Sequence, residues 1–364
     1  MAGATCKDGT RYLLPYGVVK DIMASDVPAI PNDEGPGTQL AQWVAHFRDR
    51  VNLSVLDAQA ARPVRLLLAG QGAEELADVI DPDRTARGTI LQMLDQAPGW
   101  MVADSASRAI LFCDAAGTVP HAALAHFESS SLPVFVIDRP PLGETPEESR
   151  PTSPHSHRPG PGTPAHYHVS ALNATELGKY LLPDIVAACR DVEISLASSL
   201  PIFRPSVAAK ITVDCALNCL KVAGASALVD HVPVLGLVLG SIASAGDTIV
   251  ITGMQVNMLL RIAAAYGKKA EFARIAELLP VIGGGYGWRA LAREASGFIP
   301  FAGPVIKAGI AYAGTLVLGQ AASFYYETGN KMAPEKIGAL YREAVERARN
   351  VAIDFIERMR KKDS

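Results

Sequence analysis

Residues 64–72 read Val64-Arg65-Leu66-Leu67-Leu68-Ala69-Gly70-Gln71-Gly72 and lead into Ala73-Glu74-Glu75-Leu76-Ala77-Asp78-Val79-Ile80. An apolar run, two glycines and a helix-like segment form the opening unit of a doubly wound α/β domain. Working outward, residues 108–113 (Arg-Ala-Ile-Leu-Phe-Cys) and 132–137 (Leu-Pro-Val-Phe-Val-Ile) are short apolar runs. Runs of this kind fit parallel strands buried on both faces. Residues 120–129 can supply the crossover helix between them, residues 167–170 a last strand, and residues 175–199 a closing helix.

Upstream, Pro28, Pro31, Asn32, Asp33, Gly35, Pro36 and Gly37 mark residues 1–37 as an extended arm. In residues 38–56, Leu40, Trp43, Val44, Phe47, Val51 and Val55 recur at three- and four-residue spacing, which predicts an amphipathic helix. Residues 139–164 are rich in Pro, Ser, Gly and His and offer little to bury, so they are expected as a flexible loop. Beyond residue 200 the character is helical, with helices predicted over 207–226, 245–266, 270–279, 281–294 and 303–328. A final helix is expected over 334–359, where Ile337, Leu340, Ala344, Ala348, Val351, Phe355 and Met359 form one apolar stripe among alternating charges. The organisation expected is an arm (1–37), a small parallel-sheet α/β domain (38–199) and an all-α domain (200–364).

Composition narrows the function classes. A chain of 364 residues suits two cores better than one, and 49% hydrophobic residues exclude a disordered chain. The formal net charge of −3 gives no reason to expect nucleic acid as a partner. Five cysteines (Cys6, Cys113, Cys189, Cys215, Cys219) lack any Cys-x-x-Cys spacing and read as reduced thiols. Residues 1–21 hold no apolar run of signal-peptide length. The location expected is a bacterial-type cytoplasm or the inner face of its membrane.

The strand–glycine–helix unit invites comparison with a phosphate-binding loop, Gly-x-x-x-x-Gly-Lys-Ser/Thr. Counted from Gly70, the second glycine falls on Glu75, the lysine on Leu76 and the hydroxyl residue on Ala77. Glu74 and Glu75 would set negative charge against a triphosphate where the motif needs a cation, a repulsion of several kcal/mol in a partly buried site on the order-of-magnitude Coulomb scale. A Gly-x-Gly-x-x-Gly fingerprint fails at the same Glu75. The guanine-reading Asn-Lys-x-Asp is replaced by Asp138-Arg139-Pro140-Pro141, and Asp114-Ala115-Ala116-Gly117 matches Asp-x-x-Gly on the wrong strand. Mg–GTP is therefore not an expected cofactor.

Tyr167-His168-Val169-Ser170-Ala171-Leu172 does look like the last guanine-loop element of small GTPases. With the strand order and the helical tail, it makes the chain resemble an Era-like GTPase domain fused to a YcjF-type domain of unknown function. The second part carries the more specific likeness: Phe203-Arg204-Pro205, Ala245-Gly246-Asp247-Thr248-Ile249-Val250-Ile251-Thr252, Gln255-Val256-Asn257-Met258, Arg261-Ile262-Ala263-Ala264-Ala265-Tyr266-Gly267, Gly283-Gly284-Gly285 and Ile299-Pro300-Phe301-Ala302-Gly303. These cover roughly residues 200–329. The resemblance implies a helical module that accompanies GTPases and is often membrane-associated, and it brings no catalytic residues.

The positions to follow are therefore Gly70, Gln71, Gly72, Asp114, Asp138, Ser170 and Ala171 as a vestigial nucleotide site. Asp247, Gln255, Asn257 and Arg261 are followed as an interaction site, with an N-terminal helix cap as the simpler reading of Asp247. His155, His157, His166 and His168 lack a Cys or Asp partner at a fixed spacing, and no metal site is expected of them. Cys215 and Cys219, one helical turn apart, read as small side chains in a packing seam. No nucleophile–base pair or carboxylate dyad is assigned by spacing, so catalysis is not expected. The apolar runs 232–246 and 298–323 are broken by Pro233, Pro300, Pro304, Lys307 and Gln320 and favour core burial over a span. The expected role is a non-catalytic, pseudo-GTPase-like scaffold or regulator. Its expected partner is a protein, with a GTPase as one candidate and a peripheral membrane contact as another. The alternatives are a GTP-binding protein with a departed site and a membrane-associated GTPase-family protein.

Overall fold

The computed structural model describes residues 53–94, 104–115, 132–139, 164–229, 236–269, 271, 273–274, 277–278 and 303–362. The expected arm (1–37), the crossover helix (120–129), the helix over 281–294 and all but the ends of the 139–164 loop lie outside these residues. So does the predicted helix over 38–56 up to residue 52; its end appears as α1 (Leu53–Ala60).

Five parallel strands form one sheet: β1 (Arg65–Ala69), β2 (Leu91–Met93), β3 (Ser107–Ala115), β4 (Val134–Arg139) and β5 (Ala165–His168). Their order is β2-β1-β3-β4-β5, one of the common doubly wound orders and a fold shared by unrelated functions. The apolar runs form strands because both faces are covered. Leu66, Leu68, Leu111, Phe135 and Ile137 join the larger core on one face, and Leu67, Ile110, Phe112, Val134 and Val136 join a smaller cluster on the other.

Strand β2 was not anticipated, since three residues are too few to register as an apolar run. The turn before it is held by Asp81, a buried carboxylate that accepts from the Ala86 amide at 2.8 Å and the Thr85 amide at 3.2 Å. Helix α2 (Ala73–Ile80) buries Leu76, Ala77 and Ile80 against the sheet.

The single helix expected over 175–199 is instead three: α3 (Ala174–Lys179), α4 (Leu181–Ala188) and α5 (Glu193–Ser199). Asn173 caps α3 by accepting the Glu176 amide at 2.9 Å. Asp191, at φ 69, turns the chain between α4 and α5 in the left-handed region that a helix cannot contain.

Four long helices follow: α6 (Arg204–Val229), α7 (Gly236–Ala265), α8 (Gly303–Thr328) and α9 (Pro334–Lys362). Helix α7 corrects one expectation. It runs unbroken through Asp247, which is therefore mid-helix and caps nothing. Both α7 and α8 end at glycines of positive φ, Gly267 (72°) and Gly329 (71°), as left-handed C-terminal caps do. Five residues of the predicted α9 stripe dock as expected: Ile337, Leu340, Ala344, Ala348 and Val351 pack with Tyr341 against Tyr312, Leu316 and Val317 of α8 and Leu217 and Leu220 of α6, while the side chains of Phe355 and Met359 lie outside the described ones. Of the expected 270–279 helix, residues 273, 274, 277 and 278 are helical.

The larger core runs from β1 and α2 through Leu196 and Phe203 into Val207, Ile211, Leu260 and Leu318. It thus crosses the boundary expected near residue 200 without a gap. Among the described residues no helix is long and apolar enough to cross a membrane. Within the 298–323 run, Ala308, Tyr312, Ala313, Leu316, Val317 and Ala321 are buried in the fold.

Helices α6 and α8 approach closely where Gly319 faces Thr212. A Cβ on Gly319 would lie 2.1 Å from Thr212 Oγ1 and 2.4 Å from its Cγ2, well inside van der Waals contact. Gly319→Ala is expected to lower stability by about 1–3 kcal/mol, read as an earlier urea midpoint with unchanged slope. Adding Thr212→Ala should recover part of that loss. A Gly319→Ala midpoint equal to wild type would refute the close contact.

Candidate functional site

In doubly wound sheets, ligands bind outside the carboxyl ends of the strands where the strand order reverses. Here that point lies between β1 and β3, and the Gly70–Gly72 turn sits on it. Gly70 has φ +94, and a Cβ there would lie 2.3 Å from the Cys113 carbonyl oxygen of β3. A Cβ on Gly72 would lie 2.7 Å from Cys113 Sγ. The Gly72 amide donates to that same carbonyl at 2.9 Å, and the Ala73 amide donates to the Gly70 carbonyl at 3.1 Å. Both glycines are explained by packing against β3. Two of the amides that a phosphate would need are already used, and Glu74 and Glu75 occupy the first turn of α2, where Glu74 pairs with Arg87 at 2.8 Å.

Further along the same rim the chemistry is different. Asp114, Asp138 and His168 are register partners across β3, β4 and β5, so their side chains share one face of the sheet. Asp114 and Asp138 are both buried. Asp138 Oδ2 lies 3.2 Å from His166 Nδ1 and 3.5 Å from His168 Nδ1. His166 and His168 stand two apart on β5, which puts them on the same face, and their side chains are about half exposed, at 49% and 47%. Sequence spacing hid this cluster: Asp138 is 28 residues from His166, and only the pairing of β4 with β5 joins them. His155 and His157 lie outside the described residues. Ser170 and Ala171 are exposed and lie between β5 and the α3 cap.

A cleft of about 680 Å³ opens elsewhere, at the β2 edge, lined by Arg65, Glu74, Arg84, Arg87, Gln92 and Met93 among others. Its three guanidiniums are matched by carboxylates: Arg65 with Asp104 at 2.5 Å, Arg84 with Asp78 at 3.0 Å, and Arg87 with Glu74 and Asp78 at 2.8 and 2.7 Å. A cleft neutralised from within has little attraction left for an anion.

The helical candidates turn inward. Gln255 Nε2 donates to Thr315 Oγ1 at 2.9 Å, tying α7 to α8. Arg261 donates to the buried Glu193 of α5 at 3.0 Å, and Lys210 approaches the same carboxylate at 3.9 Å. Asn257 is half-buried on α7. For Asp247 only the backbone position, within α7, is described.

The four described thiols are free and buried. Burial pushes the Cys189 thiol up to about 12. Cys215 and Cys219 are buried with their sulfurs 4.0 Å apart; their mutual hydrogen bond and then burial hold the Cys215 thiol well above its ordinary value. The same hydrogen bond holds the Cys219 thiol below its ordinary value, against burial. Near the end of α8, Tyr266 donates to Glu327 at 2.6 Å and Tyr325 to Glu277 at 2.7 Å. Arg274, at 2.7 Å from Glu277, holds that carboxyl below its ordinary range. These are clamps between helices.

The Arg261–Glu193 pair joins α7 to the segment that closes the sheet region. Arg261→Ala leaves a buried carboxylate with, among the described residues, Lys210 at 3.9 Å as its remaining cation. A loss of about 2 kcal/mol is expected, below the 3–5 kcal/mol of a fully buried pair because Arg261 keeps some solvent contact. Arg261→Ala combined with Glu193→Leu should be less destabilised than Arg261→Ala alone in chemical denaturation; equal losses would show that the buried charge is not the cause.

Comparison with protein-family models, curated proteins and solved structures returned no match in any of the three.

Proposed function

We propose that this chain is a non-catalytic, pseudo-GTPase-like scaffold or regulatory protein, with a parallel-sheet region retained for its shape and a helical region for contact with a protein partner. The observation that carries this reading is the Gly70–Gly72 turn. Its close approach to Cys113 and its internal amide hydrogen bonds consume the space and donors that a phosphate loop reserves for its ligand. Leu76 and Ala77 stand where a lysine and a magnesium-binding hydroxyl would be needed. The likeness of residues 200–329 to the YcjF-type helical module supports a partner that is itself a GTPase, and a peripheral membrane face is the second contact this likeness suggests. Of the helical positions followed for partner contact (Asp247, Gln255, Asn257 and Arg261), Gln255 and Arg261 bond within the chain, and half-buried Asn257 is the described residue proposed for that contact.

The test is calorimetric titration of the full chain with GTP, GDP and ATP, with and without Mg²⁺. The expected outcome is no saturable heat with any of them at concentrations that saturate an ordinary GTPase. Tight Mg²⁺-dependent GTP binding with turnover would refute the proposal and favour a departed nucleotide site.

A further inference from the structure

We propose that His166 and His168 form a binding site for a first-row divalent transition-metal ion such as Zn²⁺, with Asp138 as the carboxylate that orients them. This inference goes beyond the scaffold reading and does not depend on it. The starting point is the side of each imidazole that faces Asp138. Its carboxylate is buried and lies 3.2 Å from Nδ1 of one ring and 3.5 Å from Nδ1 of the other. A carboxylate can only accept, so on a neutral His166 ring the hydrogen bond at 3.2 Å places the proton on Nδ1 and leaves Nε2 with a lone pair to offer. The 3.5 Å approach of His168 Nδ1 to the same oxygen favours the same orientation of that ring.

A carboxylate behind an imidazole is the usual outer support of a metal-ligating histidine, fixing its tautomer and raising its basicity. Here one buried carboxylate serves two imidazoles. Their backbone spacing suits a single ion: residues two apart on a strand have Cα atoms about 6.7 Å apart and point to the same face. Both rings are half exposed, so an ion can reach them. The rim at which they stand, the carboxyl end of a parallel sheet, is where this fold class places its ligands. Imidazole nitrogen selects for zinc, copper, nickel or cobalt over magnesium or calcium, which prefer oxygen.

Among the described residues no group of three or more His, Cys, Asp or Glu is placed to hold a metal ion together. The site is accordingly a two-imidazole one, with its remaining coordination positions open to water or an added ligand. This openness distinguishes the proposal from a fold-stabilising metal: the full chain should fold before the ion binds.

The experiment titrates the full-length, tag-free protein with ZnCl₂ by calorimetry, and with Co²⁺ followed by visible absorption. One equivalent of Zn²⁺ is expected, with a Co²⁺ ligand-field band that Zn²⁺ displaces. His166→Ala and His168→Ala, both at half-exposed positions, should keep the wild-type circular dichroism and each lose the one-equivalent event. Asp138→Asn should weaken it by about 10–100-fold, the usual effect of removing an outer-shell partner. The double variant His155→Ala/His157→Ala should bind as wild type does. Absence of a one-equivalent event in the wild type would overturn the proposal. So would binding that survives both His166→Ala and His168→Ala, or binding lost in the His155→Ala/His157→Ala protein. Nucleotide titrations leave this result untouched, so the two readings fail separately.

Discussion

The hydrogen bond from the Gly72 amide to the Cys113 carbonyl, 2.9 Å long, sets the form of the sheet's functional rim. It draws the three-residue β1–α2 turn down onto β3, and only glycine fits at that separation. A Cβ at position 70 would lie 2.3 Å from the same carbonyl, at a φ that L side chains rarely adopt. The position of α2 follows from it, because the helix starts at Ala73 directly after the turn and lays Leu76 and Ile80 on the sheet. The chemistry at the turn follows as well. An amide bonded to a neighbouring strand cannot also hold a phosphate, and a turn this short does not wrap one. Close packing against Cys113 accounts for both glycines that a motif search notices.

The same economy of contacts joins sheet to helices. Phe203 is fully buried at the junction, between the short helix α5 and the long helix α6, and the core passes through it from Leu196 to Val207. Polar groups reinforce that junction: Arg261 reaches from α7 to Glu193, and Ser195 Oγ donates to the Arg62 carbonyl at 2.6 Å, 133 residues away in sequence. Arg204 lies over the Tyr266 ring at 5.9 Å. A buried carboxylate such as Glu193 tolerates its position only with its cations in place. Residues whose polarity suggests a surface contact are, at this junction, the internal fastening of one part of the chain to another.

How much of this the sequence disclosed depends on the range of the interaction. Strands β1, β3 and β4 were legible, because parallel strands buried on both faces are written as unbroken apolar runs; β5 was expected two residues late, at 167–170, since Ala165-His166-Tyr167-His168 is not such a run. Strand β2 was not legible, since Leu91–Met93 is three residues long and acquires its meaning from pairing with β1. The docking face of α9 was legible from its period. The start of α7 was not, because Gly236 to Gly246 has no polar face to define a period, and Asp247 looked like the cap of a new helix when it lies inside an existing one. The break at Asp191 was missed for a related reason: left-handed backbone at an aspartate leaves little trace in a hydrophobic pattern. The candidate site was half legible. The failure of the phosphate motif could be counted residue by residue, whereas the pairing of Asp138 with His166 exists only in the register of β4 with β5.

That register also separates two ends of one rim that a motif search would treat as a single nucleotide site. At the β1 end the turn is closed by its own hydrogen bonds, and the first turn of α2 carries Glu74 and Glu75. At the β4–β5 end a buried carboxylate stands behind two half-exposed imidazoles. The first arrangement opposes an anion, through spent donors and like charge. The second favours a cation, through lone pairs fixed in direction by Asp138. A parallel sheet offers every strand's carboxyl end to the same crevice region, so a fold can lose one ligand chemistry at one pair of strands and hold a different one three strands away. On this physical ground the absence of a phosphate loop is an argument about β1 alone and leaves the chemistry of β4 and β5 to be judged by their own side chains.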